Sequence, residues 1–196
     1  MESNLHQNIS ELARGTYENC LFENCNFENS QFNHLIFIDC TFKDCNLSNV
    51  SLTQTSFREV SFLNCKMIGL HFENCMPFLF AVSFAKCQLN LSSFYKVNLK
   101  KTTFTNCELK EVDFTSANLA EAYLAECDCQ LAVFDAVYYG GDCNSGSKTI
   151  AVNLPNDETL QKYFGTRRSQ LKNTMKAKFE EMVMPISKIL IDPAQQ

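Results

Sequence analysis

Large apolar side chains return at every fifth position through most of the chain. From Tyr17 the series runs Phe22, Phe27, Phe32, Phe37, Phe42, Leu47, Leu52, Phe57, Phe62, Met67 and Phe72. Two extra residues follow, and it resumes at Phe84, Leu89, Phe94, Leu99, Phe104, Leu109, Phe114, Leu119 and Leu124, meets Cys129 and ends at Phe134. Two residues before each of these lies a small or β-branched one, and nine of the eleven cysteines occupy this second slot. The residue between the slots is mostly polar. The last of each five is often Asn or Asp in the first half, as at Asn19, Asn24, Asn29, Asp39 and Asp44.

A period of five matches neither a helix nor a long strand, but a chain that turns a corner every five residues closes a square after twenty. Stacked squares let each short side pair its backbone with the coils above and below, at a spacing of about 4.8 Å. The predicted fold is all-β: a quadrilateral β-helix of about six coils over residues 15–136, with two apolar residues of each unit inward and Asn or Asp at the corners. The spacing of twenty is met by Cys25, Cys45 and Cys65, then by Cys87, Cys107 and Cys127 after a step of twenty-two. Interior columns are likewise expected from Phe22, Phe42, Phe62, Phe84 and Phe104, and from Phe32, Phe72, Phe94 and Phe114.

The unit Ala117-Asn118-Leu119-Ala120-Glu121 resembles the repeat of the pentapeptide-repeat family, Ala-Asp/Asn-Leu-X-X, and the likeness covers about 120 residues. The resemblance implies that the square coil is right-handed. Phe- and Cys-rich units such as Phe22-Glu23-Asn24-Cys25 look most like the topoisomerase-protecting branch, which comprises the quinolone-resistance Qnr and MfpA proteins and the microcin immunity protein McbG. That likeness implies a non-enzymatic DNA mimic that binds DNA gyrase or topoisomerase IV and protects it from quinolones or toxins.

The extra residues lie in Met76-Pro77-Phe78-Leu79-Phe80-Ala81. Proline cannot donate to a ladder, so a bulge or small loop is expected near 76–81. Phe78, Leu79 and Phe80 cannot all face inward, which makes them candidates for partner binding. Residues 1–14 are expected to cap the first coil, with Leu5, Ile9 and Leu12 at the spacing of a short amphipathic helix. The Gly- and Ser-rich stretch in 137–155 reads as a flexible connection. Beyond it, 156–192 reads as a helical segment whose apolar face (Leu160, Phe164, Leu171, Met175, Phe179, Met182 and Ile186) would cap the rod or form a homodimer.

Composition narrows the function. A hydrophobic fraction of 45% excludes a disordered chain, and a net charge of −5 removes any overall attraction to nucleic acid or anionic lipid. The start, Met-Glu-Ser-Asn-Leu-His, lacks the pattern of a secretory signal, so the chain reads as cytoplasmic with reduced cysteines. Cys127-Asp128-Cys129 and the pairs Cys20/Cys25 and Cys40/Cys45 suggest zinc only until the register accounts for all but Cys129 as packing groups. His34 and His71 fall in outward slots. With no nucleophile constellation or phosphate loop either, no catalytic residue, metal site or cofactor is expected.

Function is then expected on the outer surface. Residues 15–136 carry 8 basic and 14 acidic groups, the balance a DNA mimic needs. Lys86, Lys96, Lys100 and Lys101 nevertheless form a basic waist, which breaks an acidic field unless all four share one face. Two readings follow, a gyrase-binding mimic and a general protein-interaction scaffold.

Overall fold

The computed structural model describes residues 4–137, which form a β-solenoid of about six coils. The corners explain the period. One residue of almost every unit has φ between 50° and 63°, including Asn19, Asn24, Asn29, His34 and Asp39, and there the chain turns from one flat face to the next. Asn and Asp tolerate this left-handed geometry best, yet in the second half it falls to Lys86, Leu91, Lys96, Glu111 and Leu131. Many outward Asn and Asp residues brace the turn from within. The side-chain oxygens of Asn118 and Asp113 accept the backbone N–H two residues on, from Ala120 at 3.0 Å and Thr115 at 2.8 Å.

The four faces are named here by their first fully repeating ring: Phe22, Phe27, Phe32 and Phe37 for faces one to four. Face one is a seven-stranded parallel sheet of β1 (Asn4–Gln7), β3 (Cys20–Glu23), β5 (Thr41–Lys43), β7 (Val60–Leu63), β8 (Val82–Ala85), β9 (Thr103–Thr105) and β10 (Tyr123–Ala125). Face four holds a three-stranded sheet of β2 (Thr16–Glu18), β4 (Ile36–Ile38) and β6 (Ser56–Arg58). Faces two and three are joined by single parallel bridges such as Lys66↔Gln88 and Ser93↔Asp113, because the chain turns again before a longer strand can form. A 3-10 turn covers Phe72–Asn74.

The register puts like on like. Phe22, Phe42, Phe62, Phe84 and Phe104 are successive partners, all buried, with stacked ring centroids 4.6, 5.2, 5.3 and 5.0 Å apart. On face three Phe32 is buried, and Phe72, Phe94 and Phe114 stack at 4.4 and 5.3 Å. Burial is worth roughly 1.5–3 kcal/mol for each large side chain, so these columns dominate stability. The small slot has a second role beyond packing. The thiols of Cys45, Cys65, Cys87 and Cys127 donate to the carbonyls of Phe22, Phe42, Phe62 and Phe104 in the coil before, at 3.3–3.4 Å. Thr55 and Ser92 do the same with hydroxyls, to Phe32 and Met67 at 2.9 and 3.0 Å.

The start of the chain departs from expectation: the anticipated helical turn is the strand β1, paired in parallel with β3. His6 sits over Phe22 with ring centroids 4.9 Å apart, and Leu5 is exposed. This first coil is short. The carbonyl of Ile9 receives Asn26 N–H as that of Cys25 receives Asn46 N–H, and the carbonyl of Gly15 receives Ile36 N–H as that of Leu35 receives Ser56 N–H. Six residues thus separate equivalents that elsewhere lie ten apart, which hides the period and mimics helical spacing. The helical segment expected over 156–192, with Leu160, Phe164, Leu171, Met175, Phe179, Met182 and Ile186, lies outside the described residues, as does the connection beyond Val137.

Candidate interaction surface

The interior leaves little for chemistry. Every core column is filled, and Cys25, Cys45, Cys65, Cys87, Cys107 and Cys127 are buried free thiols in line along one edge. Burial pushes the Cys40 thiol up to about 11 and the Cys129 thiol up to about 12, away from the reactive thiolate. Among the described residues no three His, Cys, Asp or Glu side chains stand close enough to hold a metal ion.

The surface is interrupted at 76–81. Met76 N–H reaches the carbonyl of Thr55 and Ala81 N–H that of Phe57, so both ends of the insertion stay on the ladder. Between them the chain turns, with Phe80 N–H on the carbonyl of Pro77 and Leu79 at φ 55°. Phe78 and Leu79 are 63% and 60% exposed, whereas Phe80 turns inward and packs edge-on against Phe72. The three candidates therefore divide into two outward residues and one that fills the core where Pro77 cannot. Arg58 completes the protrusion: its guanidinium carbon stands 5.7 Å from the centre of the Phe78 ring while its Nε–H donates to Ser56. Beside them lies a shallow depression of about 230 Å³ on face four, lined by His34, Ile36, Gln54, Ser56, Arg58, Met76 and Phe78.

Charge is divided by face rather than along the axis alone. Within residues 15–136, faces two and three and the corner between them carry Glu28, Glu73, Glu108, Glu111, Asp113, Asp128 and Asp135 against Lys66 and Lys110, and the short first coil adds Glu11 and Arg14 on the same side. Faces four and one with the remaining corners hold the other seven carboxylates and six basic groups. The four waist lysines do not share one face. Lys100 is on face four, Lys96 and Lys101 are at its two corners, and Lys86 is at the far corner of face one. Lys100 and Lys101 reach Glu121 at 3.4 and 3.9 Å, and Lys96 lies over Tyr95. On face one Glu23 accepts from Lys43 at 2.6 Å and from Gln7, which holds its carboxyl below the usual range. Summing charge along the sequence concealed the grouping around face four, since Arg58 and Lys100 belong to coils forty-two residues apart in the chain.

Profiles described as "Pentapeptide repeat region" and "Pentapeptide repeats (8 copies)" match residues 16–76 and 92–128, together half of the chain. Nudix hydrolase 3 of Arabidopsis thaliana is 42% identical over 66 residues, which are 34% of this chain but only 8% of that protein. The chain therefore spans too little of this curated relative for its activity to carry over. Among solved structures, full-length QnrB1, a plasmid-mediated fluoroquinolone resistance protein, is 18% identical, covering 86% of this chain and 100% of its own, with a TM-score of 0.31. A trypsin-treated form of QnrB1 gives 16%, 71%, 91% and 0.36 for the same quantities. HetL of Nostoc sp. Strain PCC 7120, a pentapeptide-repeat protein involved in heterocyst differentiation regulation, gives 15%, 65%, 62% and 0.27. At these identities and scores no function transfers from the structures.

Proposed function

The chain belongs to the pentapeptide-repeat family, and from its filled solenoid we propose a protein that works by binding another protein along its outer faces. The observation that carries this reading is the division of labour within each unit. Two residues close the core, and the other three differ from coil to coil and present a rigid, patterned surface. The test is a photo-crosslinking side chain placed in turn at Thr103, Gln130, Thr53 and Asn98, exposed positions on faces one to four. One protein should crosslink from one face or two adjacent ones, and unlabelled chain should compete it away. Crosslinking from no face, or equally and without saturation from all, removes the reading.

A sharper form is supported by the seven carboxylates against two lysines on faces two and three. That side is the one on which the rod would imitate DNA and occupy gyrase or topoisomerase IV, with Lys100 and Lys101 turned away and Lys86 and Lys96 at its two edges. Added chain should then displace DNA from gyrase and restore supercoiling under a fluoroquinolone. Replacing Glu108, Glu111 and Asp128 by their amides should weaken both effects. Wild-type protein inactive in both assays removes the mimic while leaving other partners open to the crosslinking test.

A further inference from the structure

Face four is where the rod loses its excess of carboxylates, four basic groups (Arg58, Lys96, Lys100 and Lys101) standing on it and its corners against Glu18, Asp39, Glu59 and Glu121, and where its sheet stops. The three-stranded sheet ends at β6, since the next coil brings Pro77, which has no N–H to give, and a turn that lifts Phe78 and Leu79 off the surface. On the flat of this face from Ile36 through Ser56 and Arg58 to Asn98 and Lys100 no carboxylate projects. Asp39, Glu59 and Glu121 stand along one corner, and the last already engages Lys100 and Lys101. At the opposite corner His34, Gln54 and Asn74 lead up to Lys96. Apolar protrusion, cation and shallow depression thus adjoin one another, with Arg58 belonging to all three.

We infer that face four binds an extended acidic segment of a partner protein, seating an apolar side chain against Phe78 and Leu79 and carboxylates on Arg58, Lys96 and Lys100. This rests on the protein-binding reading above and adds the face and the chemistry of the partner. Charge complementarity selects the occupant. A short acidic segment laid along the flat meets Arg58, Lys96 and Lys100 without crossing the corner that carries Asp39, Glu59 and Glu121. A phosphate polymer carries charge on every unit and continues over those carboxylates, and an anionic bilayer faces them as well. Arg58 suits a carboxylate because its planar donors match two oxygens at once, and its place over Phe78 with Nε–H on Ser56 orients it.

The test selects random linear peptides, displayed on phage, against the full chain. Enriched sequences should place Asp or Glu next to Phe, Tyr, Trp or Leu, and a labelled synthetic peptide of the leading sequence should bind in fluorescence anisotropy more weakly as salt rises. Arg58→Gln and the double change Phe78→Ser, Leu79→Ser should each lower its affinity about tenfold or more. Leu131→Ser, at an exposed corner between faces two and three, should leave it unchanged. Phe78 and Leu79 are outside the core, so thermal unfolding of their variant should match the parent and separate lost binding from lost fold. Enrichment of basic or uncharged sequences, no enrichment, or binding indifferent to these variants overturns the inference. Comparable, variant-sensitive binding of duplex DNA or phosphatidylglycerol vesicles overturns it too. Photo-crosslinks to a protein from Thr103, Gln130 or Thr53 but not Asn98 overturn this inference and spare protein binding; crosslinks from no face overturn both.

Discussion

Phe94 lies flat between Phe72 and Phe114, fully buried, with its edge toward Phe84 and Phe104 at 6.0 and 5.8 Å. A carboxylate there would lose its hydration and find no partner, and the ring contacts would go with it. Phe94→Asp should therefore abolish the cooperative thermal transition, whereas Asn98→Ser, outward and exposed, should shift stability by no more than about 0.5 kcal/mol. Circular dichroism melts of both variants make the comparison, and equal losses would contradict the inward assignment of the rings. Gly69 is a different kind of constraint. Its φ is 70°, and an added Cβ would come 2.8 Å from the side-chain oxygen of Asn49, at the far end of an amide that can move aside. Gly69→Ala should cost about 1 kcal/mol in urea unfolding, chiefly from the left-handed backbone. The thiol slot shows where single residues were only half legible. Its burial follows from period and size, but the donation to a carbonyl one coil back, which unites Cys, Ser and Thr in that slot, needs the stacked coils to be seen.

Each unit is a short extended piece ended by one residue in the left-handed region, and the same corner is built from whatever the sequence supplies there. Leu91 and Leu131 both hold φ of 61° with side chains more than half exposed, so they bear the backbone cost without a packing return. Leu131→Asn should raise stability by about 0.5–1 kcal/mol, read as a higher urea midpoint at unchanged slope. A fall would mean that Leu131 packs on something beyond the described coils. The elements were legible in the sequence because the five-residue period survives twenty-odd repetitions, and its failures mark where legibility ended. In the first coil four residues are missing between Ile9 and Gly15, and the spacing that remained imitated a helix turn. At 76–81 the proline announced a loop, but nothing in the local sequence says that Phe80 turns back to the core while Arg58, from the coil below, comes up to Phe78. Side chains nineteen to twenty-two residues apart become neighbours here, so the surface was legible by face and illegible by segment.

At the scale of the rod, the buried free thiols of Cys25, Cys40, Cys75 and Cys129 make stability depend on keeping their protons. An unfolded thiol ionises near its ordinary value of 9.0, whereas desolvation holds Cys40 at about 11 and Cys129 at about 12 in the folded coil, and raises Cys25 and Cys75 as well. Below about pH 8 both states keep these protons, and the thiols give stability no slope. Above that the unfolded chain releases them first, so the unfolded state gains and stability falls continuously as pH climbs toward 11–12. The opposite edge of the window is shallow, because Glu23, the carboxylate held low by Lys43 and Gln7, is exposed and screened by solvent. Urea midpoints measured from pH 7 to pH 10 should decline steadily beyond pH 8, and Cys40→Ala and Cys129→Ala should flatten that decline while lowering the midpoint at pH 7. The same burial predicts that the ten cysteines from Cys20 to Cys129 resist a water-soluble thiol reagent in the folded chain and react in denaturant, counted by intact mass. Rapid labelling of those ten at neutral pH would mean that the coils open far more readily than their stacked rings imply.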